Sequence, residues 1–275
     1  MQSSQTQRRT LLITGANKGI GFAIVDKLLS EVTPYEIILT SRDVKLGEAA
    51  IEKLKTKHTK STSILTYHQL DVNDNQSVDN LLKWFKETNR KLDVLVNNAA
   101  ILYYKVGDEL KRHTIQTNFF GVVNLTEKLI PFLTDDAKIL QLSSFLGQLA
   151  IQGEILQKAL TDPNLTETRL YEIANNIIEL TPDFKTFGPI IESSYPASKA
   201  LLNFYVKDFL PAKLKPTQQV YSVNPGWVQT DLGGEGAPLT LDEGIDTPIY
   251  LIGLPHKVHP ELNTKLIGER KVMAF

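Results

Sequence analysis

Tyr195-Pro196-Ala197-Ser198-Lys199 sets a phenol and an ammonium four residues apart in a helical stretch. Positions i and i+4 share a helix face, so the cation lowers the phenol's pKa and makes it a tunable proton donor. The same pair also occurs as a solvated aromatic and cation on ordinary helices, so its partners elsewhere in the chain decide its meaning. Ser143 and Ser144 end the apolar run Lys138 to Leu142, and open α/β sheets bind ligands at such carboxyl edges. A serine hydroxyl there can hydrogen-bond a carbonyl oxygen, or can merely end the strand.

A second cluster suits a dinucleotide. Thr14-Gly15-Ala16-Asn17-Lys18-Gly19-Ile20-Gly21 follows a short apolar run and opens a helix. Glycines let the backbone turn tightly and approach a pyrophosphate, while free N–H groups and the helix dipole attract its charge. The spacing is G-x-x-x-G-x-G, and by itself it is as consistent with a bare tight turn as with a ligand site. An acidic residue after the second strand would repel a 2′-phosphate, but Thr40-Ser41-Arg42 stands there. Arg42 and Lys18, with the Ser41 hydroxyl, suit a phosphate dianion and point to NADPH; the competing reading is two solvated surface charges. Asp71 and Val72 follow the third strand, as partners for adenine or as a helix N-cap. Asn97, Asn98 and Ala99 end the fourth, leaving room for a cofactor and tying strands together, or forming a plain turn.

These groups need a scaffold that brings strand ends together. Apolar runs at Arg9 to Thr14, Glu36 to Thr40, Ser63 to Leu70, Leu92 to Val96, Lys138 to Leu142 and Gln218 to Val223 alternate with stretches of helical spacing. A last short strand near Leu266-Ile267 makes seven. Strand and helix in alternation predict an α/β fold with a doubly wound parallel sheet, covered by helices on both faces. From about 147 to 194 the alternation stops. Helical patches there, Gly153 to Leu160 and Leu165 to Leu180, are broken by Pro163 and Pro182, as expected for a helical insertion before the tyrosine. One domain, 1–275, is expected at this length.

Composition narrows the partners. Of 275 residues, 42% are hydrophobic and 22% charged, and the net charge of −1 gives no general reason to bind nucleic acid. Cysteine is absent, which removes disulfides and thiolate chemistry, and no metal site is read. No apolar leader or run long enough to span a membrane occurs, so a cytoplasmic protein is expected.

Taken together, TGANKGIG (Thr14 to Gly21), NNAA (Asn97 to Ala100), Asn118 in TNFFG, LSS ending at Ser144, YPASK and PGWVQTD (Pro225 to Asp231) resemble the short-chain dehydrogenase/reductase family over essentially the whole length. The chain is similar to its monomeric NADPH-dependent carbonyl reductases. The resemblance implies a Rossmann-type fold and a catalytic set of Asn118, Ser144, Tyr195 and Lys199. It further implies that Gly15, Asn17, Lys18, Gly19, Ile20, Gly21, Ser41, Arg42, Asp71, Val72, Asn97, Asn98, Ala99, Tyr195, Lys199, Pro225, Gly226, Val228 and Thr230 hold the cofactor. Lys199 would grip the ribose, and Asn118 would support a water between Lys199 and solvent. Reduction of an aldehyde, ketone or quinone is implied, with alcohol oxidation and a non-catalytic NADPH sensor as the alternatives. Ile101, Leu102, Tyr103, Phe145, Trp227 and Leu232 are apolar candidates for the substrate side, or core. The insertion would cover the helices through which relatives pair, giving a monomer, unless its Leu156, Leu170, Tyr171 and Ile177 build a new interface. Ala100 stands where the family has glycine, which would strain the chain if that position needed a positive φ.

Overall fold

The computed structural model describes residues 8–103, 107–177, 194–255 and 257–275. Apolar strands form its centre: β1 (Arg9–Ile13), β2 (Tyr35–Ser41), β3 (Ile64–Gln69), β4 (Leu92–Asn97), β5 (Leu133–Leu142), β6 (Gln219–Val223), β7 (Leu266–Gly268) and β8 (Lys271–Met273). They lie in one sheet in the order β3-β2-β1-β4-β5-β6-β7-β8, parallel except for the last pair. β1, β4, β5 and β6 sit inside and are buried almost throughout, because helices cover both of their faces. The edge strand β3 is only half-buried.

The helices are α1 (Gly19–Leu29), α2 (Val44–Lys57), α3 (Asn75–Glu87), α4 (Asp108–Ile115), α5 (Val122–Leu129), α6 (Glu154–Leu160), α7 (Glu167–Asn176), α8 (Tyr195–Phe204) and α9 (Leu241–Gly253). One face of the sheet packs Leu12, Leu95 and Ile139 against α3, α5 and α8; the other packs Leu11, Val94 and Leu140 against α1, α2 and α9. This is the doubly wound Rossmann-type arrangement. Lys138, inside β5, is fully buried and donates to the carbonyls of Leu251, Ile252 and Leu254 at the end of α9, where the helix dipole is negative.

The sheet has eight strands where seven were expected. β8 returns antiparallel on β7 through Glu269 and Arg270, whose φ values of 50° and 58° match the two-residue hairpin turn that normally uses Asn-Gly. α9 carries Pro248 inside and starts at a capping box formed by Thr240 and Glu243. Of the stretch 147–194, α6 and α7 are described and flank Pro163; residues 178–193, with Pro182, lie outside the described residues. No described helix is long and apolar enough to cross a membrane.

Candidate active site

The turn after β1 is built for close approach. Gly15 and Gly19 adopt φ of 59° and 58°, and a Cβ on Gly21 would stand 2.5 Å from Asn98 Nδ2, so α1 starts hard against the end of β4. Asn98 fixes this junction: its Nδ2 donates to the carbonyls of Thr14 (2.7 Å) and Gly15 (3.1 Å). Thr14 Oγ1 accepts from the amides of Asn98 and Ala99. Asn97 is buried and donates to Thr126 Oγ1, binding β4 to α5. No side chain caps the first turn of α1, and no acidic residue lies in it. Uncapped amides, two left-handed glycines and basic residues alongside fit a pyrophosphate at this turn.

Around the turn, Arg42 is exposed at the end of β2, and Thr230 lies over Gly19, its methyl 3.6 Å from where a Cβ would be. Asn17 and Ile20 are half-buried. Lys18 is not idle: its ammonium meets Asp231 at 2.6 Å across the cleft, and this bond holds the Asp231 carboxyl below its usual range. Ser41 departs from expectation. Its hydroxyl turns inward to the Asp43 carbonyl and Tyr67, and the residue is 1% exposed, so it does not stand beside Arg42 in solvent.

Asp71 accepts from the Asn73 amide and opens the turn into α3, but the N-cap of α3 is Asp74, which accepts from Gln76 N. Val72 is buried in the core. Pro225 and Gly226 begin a loop in which Gly226 has φ of 82°, Val228 bridges to Leu239, and Thr230 Oγ1 accepts from Gly233 N. Ala100 is not among the residues with positive φ, so its methyl group causes no strain.

At the carboxyl edge of β5 the two serines separate. Ser143 Oγ donates to Asn203 Oδ1 at 2.7 Å and is used up inside the core. Ser144 Oγ accepts from Leu146 N at 3.1 Å, capping the short turn Phe145–Gly147, which leaves its own proton to give. α8 lies against that turn so closely that a Cβ on Gly147 would come within 2.8 Å of Lys199. Asn203 also donates to the Gly147 carbonyl, pinning the serine turn to α8 from both ends.

Tyr195 begins α8, and Lys199 Nζ lies 5.4 Å from its ring centroid. The ammonium donates to the Leu142 carbonyl at 2.6 Å, and burial pushes its pKa down to about 7. Among the described residues one of its three donors is thus committed, and two remain. Asn118 sits in a widened π-helical turn, Gln116–Gly121, between α4 and α5. There its side chain donates to the Ile101 carbonyl and Ser198 Oγ and accepts from Ile101 N. Both amide donors are spent, so the side chain fastens the end of β4 to α8 and does not itself reach Lys199. π-Turns recur at functional sites, but nothing in the residue types of Gln116 to Gly121 announces one.

On the substrate side, Ile101, Leu102, Tyr103, Phe145 and Leu232 are half-buried, and Trp227 is 43% exposed with its indole N–H on the Gly233 carbonyl. Residues not singled out from sequence complete the arrangement: Gly147, Asn203, Asn224 and His113, whose ring nitrogen meets the Tyr103 hydroxyl at 2.8 Å.

Known proteins share this chain's sequence pattern and fold. The family described as short chain dehydrogenase matches residues 9–156. A (+)-neomenthol dehydrogenase of Arabidopsis thaliana is 36% identical, over 92% of this chain and 94% of its own. Carbonyl reductase (NADPH) 1 of Sus scrofa is 33% identical, over 90% and 88%. Among solved structures, salutaridine reductase from Papaver somniferum superposes with a TM-score of 0.82 at 28% identity, covering 95% of this chain and all of that one. The similarity to relatives runs along nearly the full length, and the chain belongs to the short-chain dehydrogenase family.

Proposed function

We propose that this enzyme, an NADPH-dependent oxidoreductase, reduces the carbonyl group of a small aldehyde, ketone or quinone to the alcohol. The observation that carries the reading is Tyr195 with Lys199 in α8, set against a serine turn in which Ser144 keeps its proton. The glycine turn, Arg42, Lys18 and the Pro225 to Thr230 loop hold NADPH, which when bound supplies a hydride. Ser144 donates a hydrogen bond to the carbonyl oxygen as charge develops there, and Tyr195 gives that oxygen its proton. Lys199 stabilises the phenolate left on Tyr195 and, with its two uncommitted donors, grips the ribose hydroxyls. Asn118 and Asn203 act as positioning residues through Ser198, Ser143 and Gly147.

A panel of aldehydes, ketones and quinones, followed by loss of NADPH absorbance, tests this. Turnover with at least one class is expected, and Tyr195→Phe should lower it by about 10²- to 10⁴-fold while NADPH still binds. A Tyr195→Phe variant at wild-type rate would overturn the assignment. Similarity to a protein named neomenthol dehydrogenase favours a second reading, oxidation of a secondary alcohol at the same site. NADP⁺ reduction with cyclic secondary alcohols, faster than the reverse reaction at neutral pH, would establish it.

The reading extends to assembly: one catalytic domain working as a monomer. In its support, α7 packs on α8 and reaches the π-turn before α5, where Tyr171 stacks on Phe120 with ring centres 5.9 Å apart, and Lys213 joins Glu127 of α5 to Glu167 of α7. Sedimentation at micromolar concentration should give a single species of 30.8 kDa, and a dimer would refute it.

A further inference from the structure

Asn224, the last residue before Pro225, occupies the junction of three segments. Its Oδ1 accepts from Phe145 N and from Gly226 N, each at 3.1 Å. Its backbone N–H donates to the Ile267 carbonyl of β7, and its Nδ2 lies 3.5 Å from Met273 Sδ in β8. One oxygen therefore serves two amides that belong to different parts of the cleft. Phe145 directly follows Ser144, whose hydroxyl faces the carbonyl oxygen in the reading above. Gly226 opens the loop that runs to Thr230 over the glycine turn. Strand pairing alone does not fix this separation: β5 and β6 end their register at Leu142 and Val223, and the Ser143 N–H to Val223 bond is the last before both chains diverge.

We propose that Asn224 is a positioning residue that sets the Ser144 turn against the cofactor loop and so fixes the distance between the bound carbonyl and the hydride donor. The requirement is for an acceptor at the Oδ1 position, with two lone pairs directed at two backbone donors. Alanine would leave both amides without that acceptor and let the two segments drift independently. A shift of about 1 Å between reacting groups costs on the order of 100-fold in rate. The chemical part of this inference rests on the proposed carbonyl reduction, whereas the linkage between the two segments belongs to the free protein.

The test compares Asn224→Ala, Asn224→Gln and Asn224→Asp with the parent chain. Asp keeps an oxygen at the Oδ1 position, Gln moves it outward by one methylene, and Ala removes it. Hydrogen exchange on the cofactor-free protein, at the amides of 143–148 and 226–231, reads the linkage without any turnover. Exchange should speed up in both segments together for Ala and Gln and return towards the parent rate for Asp. With NADPH and a carbonyl from the panel, single-turnover reduction should slow by about 10- to 100-fold for Ala and Gln. A full primary isotope effect with 4-deuterated NADPH should then appear, with the dissociation constant for NADPH within about threefold. Asp should restore the rate to within about tenfold. If Ala fails to fold in a thermal melt, Gln carries the comparison.

Acceleration in only one segment, an Asp variant as impaired as Ala, or a loss of NADPH affinity equal to the loss of rate would each overturn the proposal. If the parent chain reduces no carbonyl, the catalytic reading fails while the exchange result still decides the linkage.

Discussion

At the mouth of the cleft, Lys18 and Asp231 leave 64% and 76% of their side chains in solvent while bonding each other at 2.6 Å. Deeper in, Lys199 is buried, its ammonium on one backbone carbonyl and its helix clamped by Asn118 and Asn203. Charges of the first kind are cheap to hold and free to change partner, because water screens them. A charge of the second kind is expensive, since burial disfavours it, and it stays where surrounding hydrogen bonds hold it. The outer pair is therefore suited to capturing a phosphate and letting it go, and the inner lysine to keeping one geometry through the chemical step.

Lys199→Met tests the sharper side of that contrast. Turnover should fall by at least about 100-fold, while the melting temperature rises because a buried charge has been removed. Burial lowers Lys199 from 10.5 to about 7, so the folded chain binds fewer protons there than the unfolded one. Its contribution to stability therefore rises with pH across that window, and the variant's stability curve should be flatter there; Lys138, lowered to about 7 mainly by burial, keeps the remainder of the slope. In the parent enzyme, reduction should decline as pH climbs through about 7 and the ammonium is lost. A variant that melts much lower than the parent, or a reduction rate that climbs with pH, would break the contrast.

Arg42→Ala comes next in size. The Michaelis constant for NADPH should rise about 10-fold, and that for NADH should hardly move, since only the former carries the 2′-phosphate. Equal effects on both cofactors would place the guanidinium elsewhere. Asp231→Asn should have the smallest effect: no change in melting, and NADPH affinity higher by at most about threefold at low salt, as Lys18 is freed. A large loss of affinity would mean that the exposed pair is fixed structure after all.

How much of this could be read from the chain follows the same division. The parallel sheet and the turn at Gly15 to Gly21 were legible because apolar runs and glycine spacing are local signals. Tyr195 with Lys199 was legible for the same reason. Asn203 and Asn224 were not, since a lone asparagine announces nothing until Ser143, Gly147 and Phe145 arrive from distant strands. The β7–β8 hairpin was hidden because Glu269 and Arg270 occupy left-handed positions that a sequence reading reserves for Asn-Gly. The inward turn of Ser41 depends on Tyr67 from the neighbouring strand.

The π-turn at Gln116–Gly121 has a consequence for phase. A regular α-helix advances about 100° per residue, and a π-turn accommodates one extra residue within an otherwise α-helical rod. Closing this segment to an ordinary α-helix with all of its residues kept would pass the surplus residue into the rod and rotate α4 relative to α5 by roughly that angle. Asn118 would then leave Ser198 and Ile101, and Phe119 and Phe120 would leave Tyr171. By absorbing one residue of surplus length, the widened turn keeps two faces of the same rod in step, one towards the chemistry and the other towards the helix that covers it.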